Sequence, residues 1–258
     1  MASDSPTVAA LVIVPTYNEA ENIQQLVKQI LEQPIPLHVL VVDDNSPDGT
    51  GQLADALSAQ DPRVQVIHRP AKMGLGTAYL AGFRRALQDE YDCAITMDAD
   101  FSHHPYYLPK LLAIMRDCDV AIGSRYVKGG GTTGWPLPRK LLSRGANSFA
   151  KFVLRLKTHD CTAGFRCYKA EVLRQVDLDT IFSSGYSFLV EMVTRCQRRG
   201  FAIGEIPIIF HNRRLGSSKI SRSEIFKSVY TIFRLRFSRL PWERWRNIYR
   251  KHLSNGYQ

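Results

Sequence analysis

The sequence predicts an α/β protein built on a mainly parallel sheet with helices on both faces. Short apolar runs rich in β-branched residues recur along the first half of the chain, as is typical of buried strands. They alternate with segments whose apolar residues have helical spacing. That alternation is typical of a parallel sheet covered on both sides.

The predicted elements follow the two kinds of apolar spacing. Strands are predicted over residues 8–14, 37–42, 64–68, 92–97 and 119–123. One helix is predicted from the spacing of Ile23, Leu26, Val27, Ile30 and Leu31. A second is predicted from Thr77 to Gln88, and residues 135–210 are expected to hold helices and one strand, Phe201 to Phe210.

Composition limits the class of protein. The chain has 258 residues, of which 45% are hydrophobic and 22% charged, which is enough for one large domain or a domain with an appendage. Five scattered cysteines without a CxxC pair fit neither a disulfide framework nor a zinc site, and they favour a reducing, cytoplasmic compartment.

The N-terminus lacks the basic lead of a signal peptide, and no run reaches the roughly 18 apolar residues that a spanning helix needs. Membrane attachment is therefore expected to be peripheral.

Positive charge is concentrated at the C-terminal end. Residues 211–258 carry 12 lysines and arginines against two glutamates, whereas residues 1–210 carry equal numbers of both signs. We therefore expect a domain over residues 1–210 and a basic segment over residues 211–258 with an acidic partner of its own. Membrane phosphates and nucleic acid are the two candidates.

Polar side chains follow the predicted strands, where ligands bind in parallel sheets. Asp98 and Asp100 lie just past the fourth strand, and in an extended chain their carboxylates project to the same side. Two such oxygen donors are suited to Mg²⁺ or Mn²⁺, which bridges to phosphate oxygens and neutralises a leaving diphosphate. An ordinary turn at the strand end is the alternative.

A second acidic pair, Asp43 and Asp44, follows the second strand. The succeeding NSPDGT is rich in turn-forming and helix-capping residues, so a capped loop is one interpretation. The other is that one of these carboxylates binds a ribose or a base, as acidic residues at this place do in nucleotide-binding sheets.

Together these motifs carry a family resemblance. From about Val12 to Lys219 the chain resembles the dolichol-phosphate (polyprenol-phosphate) mannosyltransferases, a group within the family-2 glycosyltransferases. The motifs that carry it occur in this order: VPTYNEAENI, VVDDNSPDGT, KMGLGTAYLAG, MDADFSHHP, GSRYVKGGG, SRGAN and TAGFRCY. The resemblance implies a GT-A fold with a Rossmann-like sheet, and transfer of mannose from GDP-mannose to the phosphate of a polyprenol or dolichol on the cytosolic face of a membrane.

The resemblance also implies roles for individual residues. The guanosine pocket is expected to comprise Pro15, Tyr17, Glu19, Val42 and Asp44. Metal and diphosphate are expected at Asp98, Ala99 and Asp100. Arg125, Arg213 and Lys219 are expected to anchor donor or acceptor phosphates, and Arg125, Arg139 and Ser143 to contact the acceptor phosphate. Asp100 and Arg125 are the expected catalytic residues.

Several other positions stay open. Many relatives have glutamine where this chain has Ser102, which leaves a third protein ligand for the metal in doubt. Glu191 stands where other family-2 enzymes tend to place a catalytic acid, and a helix-surface carboxylate is the equal alternative. His103 and His104 are interpreted as loop residues because adjacent side chains point apart. Lys72 lies near two glycines that allow backbone to approach phosphate, and we rank it below the aspartates.

The basic segment has two amphipathic patterns that suit helices lying in a lipid headgroup layer. Apolar residues recur at helical spacing from Ile225 to Phe233 and again from Trp242 to Tyr249, where arginines intersperse them. Packing against the main domain is the alternative. Some relatives use small membrane subunits, so such a subunit is one expected partner.

Three other functions explain fewer of these sequence features. A polyprenol-phosphate glucosyltransferase using UDP-glucose is the nearest rival within the family. A nucleotidyltransferase needs a basic, glycine-rich loop after the first strand, where this chain has PTYNE. A nucleic-acid-binding module explains the basic segment but leaves the acidic motifs of residues 1–210 without a role.

Overall fold

The computed structural model describes residues 9–185, 187–212 and 222–238, the last range with side chains from residue 226 onward. Its strands are β1 Ala10–Thr16, β2 Leu37–Asp43, β3 Val64–His68, β4 Cys93–Thr96, β5 Val120–Ser124, β6 Gly131–Thr133, β7 Arg166–Lys169, β8 Ile203–Pro207 and β9 Ile209–His211. Its helices are α1 Ile23–Leu31, α2 Thr50–Gln60, α3 Leu75–Gln88, α4 Leu108–Ala113, α5 Leu137–Leu154, α6 Ala170–Val176, α7 Ser187–Arg198 and α8 Arg222–Phe237.

The main sheet has the strand order β3-β2-β1-β4-β7-β5-β8, and β6 pairs with β9 in a small second sheet. All the neighbouring strands of the main sheet pair in parallel except β7, which runs antiparallel to both β4 and β5. The chain proceeds outward from β1 through β2 to β3 and then returns to place β4 on the other side of β1. This reversal makes the carboxyl ends of β1 and β4 a topological switch point, where ligands bind in such sheets.

Apolar helices cover both faces of the sheet. On one face α1 buries Ile23, Leu26, Val27 and Ile30, which recur on one side of the helix. On the other face α3 approaches β1 closely, because a Cβ at Gly82 would lie 2.4 Å from the Ile13 side chain. The predicted α/β architecture with helices on both faces is therefore confirmed.

Most of the predicted elements are present with small shifts at their ends. The five predicted strands correspond to β1 to β5, and the two predicted helices to α1 and α3. The single strand predicted over Phe201 to Phe210 is wrong, because this stretch forms β8 and β9 in two different sheets. Helix α2 and the antiparallel strand β7 were not predicted, since neither has a long apolar repeat.

Helix α8 packs against the main domain, although it belongs to the segment predicted to be separate. It contacts α5 and α7, and Ile232 and Leu235 join the core. The Arg198 guanidinium donates a hydrogen bond of 2.5 Å to the Leu235 carbonyl oxygen. The helix predicted from Ile225 to Phe233 is thus confirmed, while the second pattern, from Trp242 to Tyr249, lies outside the described residues. Within the described ranges, no helix is both long and apolar enough to span a bilayer.

Candidate active site

The predicted metal ligands lie at the switch point, in a turn rather than in an extended strand. Strand β4 ends at Thr96, and a turn begins at Ala99. The Tyr79 hydroxyl from α3 donates a hydrogen bond of 3.1 Å to Asp98 Oδ1. Burial and the negative charge of Asp98 and Asp100 raise the pKa of Tyr79 well above its usual value, so the phenol stays protonated as a donor. Both carboxylates therefore act electrostatically on one buried phenol.

Asp100 is held by Ser102, the residue that replaces the glutamine of many relatives. Both the backbone N–H and the hydroxyl of Ser102 donate to Asp100 Oδ1, at 3.0 and 2.5 Å. Ser102 itself is fully buried. The hydroxyl hydrogen is thus directed at the carboxylate, so Ser102 orients a predicted metal ligand.

His103 is a loop residue, as predicted, and it is buried. Its ring stacks on Phe165 with centroids 5.5 Å apart and meets the edge of Phe210 at 5.2 Å. Burial lowers the pKa of His103, so the ring is neutral near pH 7. Its Nδ1 lies 3.8 Å from Asp98 Oδ2, and among the described residues this buried nitrogen has no hydrogen-bond partner. His104, in contrast, accepts a hydrogen bond from the Tyr106 N–H and begins a short 3-10 helix.

The residue set at Asp98 and Asp100 fits a divalent cation that also binds phosphate. Within the part of the chain that the structure describes, no cluster of three His, Cys, Asp or Glu side chains is arranged to hold a metal ion. The side chain of Asp98 is a quarter exposed, whereas Asp100 is nearly buried. Two hard oxygen donors, one facing solvent, match the way Mg²⁺ is held by one or two carboxylates plus substrate phosphates.

The predicted nucleoside side of the site is partly exposed. Pro15 lies near the end of β1, Tyr17 and Glu19 follow the strand, and all three are half-buried. Lys72 lies over the Tyr17 ring, with its Nζ 4.0 Å from the ring centroid. The structure thus brings Lys72, which we ranked below the aspartates, next to the predicted donor pocket.

The end of β2 has a structural role. Val42 is 0% exposed and belongs to the core, so the prediction that it lines the pocket is wrong for this structure. Asp44 is nearly buried, pairs with Arg69, and accepts hydrogen bonds from the N–H groups of Met73 and Gly74. Its oxygens are therefore occupied within the protein, and a nucleoside hydroxyl has to displace one of these donors. Asp43 is likewise engaged, by Thr16 and Ser46.

Arg125, which follows β5, forms a buried ion pair with Asp160. Its Nε and Nη2 donate to the Asp160 carboxylate at 2.7 and 2.8 Å. Burial opposes both charges, yet the pair more than compensates, so the pKa of Arg125 lies above and that of Asp160 below its usual value. No described residue accepts a hydrogen bond from Nη1 of Arg125. A phosphate can therefore be contacted through that nitrogen while the pair persists.

Two of the predicted acceptor residues, Arg139 and Ser143, lie in the first turns of α5. The Tyr126 hydroxyl lies 2.8 Å from Ser143 Oγ, which joins the residue after Arg125 to the helix. The Arg139 guanidinium carbon is 4.2 Å from the Trp135 ring centroid, and its Nη1 donates to Asn212 Oδ1 at 2.9 Å. A Cβ at Gly130 would lie 2.5 Å from the Ser124 carbonyl oxygen, so the GGG loop needs glycine there to fold back on β5.

The remaining residues singled out from the sequence are buried or lie outside the described ranges. Glu191 is neither a surface carboxylate nor placed for catalysis, because it is 0% exposed and paired with Arg195 and Ser183. Ala99 is nearly buried and packs in the core. Its methyl group has no polar atom, so the side-chain oxygens at this place come from Asp98 and Asp100. Arg213 and Lys219 lie outside the described residues.

Sequence reasoning missed Tyr79, Tyr126 and Asp160. Tyr79 lies inside KMGLGTAYLAG and Tyr126 inside GSRYVKGGG, but a tyrosine within a helix or after a strand carries no signal of its own. Asp160 precedes TAGFRCY, and its loop is fixed by the fully buried Arg166, which donates to the carbonyl oxygens of Cys161, Ala163 and Leu189.

Comparisons with known proteins identify the family of the chain. The glycosyl transferase family 2 profile matches residues 11–177, so the chain belongs to that family and is a glycosyltransferase. It is 47% identical over 233 residues to the polyprenol monophosphomannose synthase of Mycolicibacterium smegmatis, covering 90% of this chain and 88% of that protein. It is 46% identical over 224 residues to the undecaprenyl-phosphate mannosyltransferase of Micrococcus luteus, covering 87% and 92%.

Solved structures support the fold. Glucosyl-3-phosphoglycerate synthase from Mycobacterium tuberculosis in complex with Mn²⁺, UDP-glucose and phosphoglyceric acid superposes with a TM-score of 0.64. The superposition covers 88% of this chain and 80% of that one at 17% sequence identity. The same enzyme with Mg²⁺ and UDP gives a TM-score of 0.65 at 16% identity, covering 89% of this chain and 79% of that one. The predicted GT-A fold is confirmed.

Proposed function

We propose that this glycosyltransferase transfers mannose from GDP-mannose to the phosphate of a polyprenol, with inversion at the anomeric carbon, to give polyprenyl-phosphate β-mannose. The observation that carries the proposal is the identity of almost half the residues, over most of both chains, with two proteins named for mannose and a polyprenyl phosphate. The position of Asp98 and Asp100 at the switch point agrees with a nucleotide sugar bound there.

Asp98 and Asp100 would hold Mg²⁺ or Mn²⁺ against the donor diphosphate. The bound ion would neutralise charge on the departing GDP. Ser102 orients Asp100, and Tyr79 orients Asp98, so both carboxylates are positioned before the donor arrives. Nearby, Pro15, Tyr17 and Glu19 would face the nucleoside, with Lys72 close to a phosphate.

Arg125, Arg139 and Ser143 would hold the acceptor phosphate. Such a monoester is mostly ionised near pH 7, because its second pKa is about 6, so the acceptor brings its own nucleophile and no general base is needed. Positioning an anionic acceptor beside an anionic donor is then the main task of the protein. Arg125 Nη1 and the Ser143 hydroxyl lie on adjoining elements joined through Tyr126. From the family resemblance, Arg213 and Lys219 would contribute further cations.

A membrane surface would supply the acceptor, and the protein would meet it peripherally on the cytosolic face. Large apolar side chains of α5 and α8 are exposed together, and we call them the α5–α8 apolar surface: Leu137, Leu141, Leu142, Phe149, Phe152, Phe226, Tyr230, Phe233 and Phe237. The Phe149 and Phe233 rings are 6.1 Å apart, which joins the two helices into one patch. Contiguous exposed patches of this kind mark sites of membrane or protein contact. A small membrane subunit would bind here as well.

The direct test incubates the full chain with radiolabelled GDP-mannose or UDP-glucose and a polyprenyl phosphate. We expect label from GDP-mannose, and not from UDP-glucose, to enter the organic phase. Label from UDP-glucose alone would establish the glucosyltransferase instead. Asp100→Ala is expected to abolish transfer with the fold intact. Asp117→Ala, an exposed carboxylate that precedes the start of β5, is the matched control and is expected to keep full activity.

A further inference from the structure

A polar cavity adjoins the candidate active site, and Arg125 lies on the border between the two. It is open, has a volume of about 810 Å³, and lies between the loop after β5 and helix α5. Its polar lining includes Lys128, Arg144, Asn147, Ser148 and Lys151. We call it the basic cavity.

The basic cavity carries uncompensated positive charge. None of its described lining residues is acidic. Arg125 and His159 also border it, but each is paired, with Asp160 and Glu205 respectively. Lys128, Arg144 and Lys151 have no acidic partner among the described residues. Three cations around one concave surface concentrate a positive potential, which favours binding of an anion.

The far end of this cavity is distant from Arg139 and Ser143, two of the three predicted acceptor-phosphate residues. Arg139 and Ser143 lie in the first two turns of α5, whereas Lys151 lies in its last turns. At a rise of about 1.5 Å per residue, Lys151 is about 12 Å beyond Ser143 along the helix axis. One phosphate group cannot contact both positions. Arg144 and Lys151 are seven residues apart, so they share one side of α5 and face the same cavity.

The apolar side of the same helix indicates what the anion is attached to. Phe152 lines the cavity, is 85% exposed, and also belongs to the α5–α8 apolar surface. When such a surface lies at the acyl boundary of a bilayer, basic residues on its edge are at the depth of the lipid phosphates. A free phosphate ion in water gains nothing from the adjoining phenylalanine.

We propose that the basic cavity binds the phosphate head group of an anionic membrane phospholipid, held by Lys128, Arg144 and Lys151. A head group at this place fixes the last turns of α5 at the bilayer surface. The first turns of α5, with Arg139 and Ser143, are then held at a fixed depth relative to the lipid phosphates. The proposal depends on neither the sugar nor the donor nucleotide.

Vesicle binding of the full chain tests the membrane part. Vesicles of phosphatidylcholine are compared with vesicles that also contain phosphatidylglycerol. A basic residue at an anionic surface strengthens binding about fivefold, so Lys128→Gln/Lys151→Gln is expected to weaken binding to the anionic vesicles about 25-fold. The matched control, Lys110→Gln/Arg116→Gln, removes the same charge from the α4 side of the sheet and is expected to change binding less than about twofold. Equal effects of the two variants would overturn the proposal.

Calorimetry distinguishes whether the basic cavity binds a lipid head group or a free phosphate ion. Short-chain phosphatidylglycerol below its micelle concentration is expected to bind the wild type saturably and the Lys128→Gln/Lys151→Gln variant at least tenfold more weakly. Inorganic phosphate that binds as tightly, or short-chain lipid that binds neither protein, would overturn the assignment. Transfer of sugar to a water-soluble, short-chain polyprenyl phosphate is expected to be unchanged in the variant. A raised KM for that acceptor would make the cavity the seat of the acceptor phosphate and also refute the proposal.

Discussion

Replacing Asp160 with asparagine is expected to destabilise the fold strongly, although Asp160 contacts no predicted substrate. Asp160 is 0% exposed and accepts two hydrogen bonds from the Arg125 guanidinium, one from the Arg125 N–H, and two from Thr162. Asparagine has one acceptor oxygen and turns an NH₂ group toward these donors. The variant therefore leaves the buried charge of Arg125 uncompensated.

The expected magnitude follows from the burial of the pair. Removing one partner of a buried ion pair costs about 3–5 kcal/mol. At about 2–4 °C per kcal/mol for a chain of this size, the Tm should fall by roughly 6–20 °C. The double variant Arg125→Gln/Asp160→Asn removes both charges and should recover at least half of the lost stability, because no unpaired charge remains. Transfer should remain absent in the double variant, since Arg125 is the proposed phosphate contact.

Urea unfolding of Asp160→Asn, the double variant and the wild type measures these effects, with Asp117→Asn as the exposed control. The pKa of Asp160 is lowered in the fold, so its contribution is complete above the unfolded pKa of about 3.9 and is lost as pH falls through the lower folded pKa. The difference between wild type and Asp160→Asn should therefore shrink in acid. Equal unfolding midpoints at pH 7, or a double variant no more stable than Asp160→Asn, would refute the reasoning.

Three further predictions concern other parts of the chain. Ser102→Ala should lower the affinity for Mn²⁺ about 10- to 100-fold, measured by the EPR signal of free Mn²⁺, because Asp100 loses its orienting hydroxyl; unchanged affinity would contradict this. Glu191→Gln should lower the free energy of unfolding by about 3 kcal/mol while kcat at low temperature stays the same, and a selective loss of kcat would instead make Glu191 catalytic. Deleting residues 240–258 should weaken liposome binding more than transfer to a water-soluble acceptor, and liposome binding equal to that of the full chain would remove the interfacial role of that segment.

The resemblance in motif order predicted a set of site residues, and the structure shows which of them are accessible and which are buried. Asp98 and Tyr17 lie just beyond the carboxyl ends of β4 and β1, and Arg139 and Ser143 lie in the first turns of α5. Val42 and Ala99 belong to the same motifs yet are buried in the core. A sequence motif does not distinguish the side chains that contact a ligand from those that pack beneath the site.

The sequence by itself determined the parallel sheet, the order of its first five strands along the chain and the family of the enzyme. These three properties depend on the local spacing of apolar residues and on the order of the motifs, and both can be read directly from the sequence. Only the tertiary structure decided the roles of Asp160, Glu191 and Ser102, and only it revealed the basic cavity. The partners of a buried charge, and the side chains around a cavity, come from segments far apart in the sequence. For Arg125 the partner is 35 residues away, and nothing in the spacing between them indicates the contact.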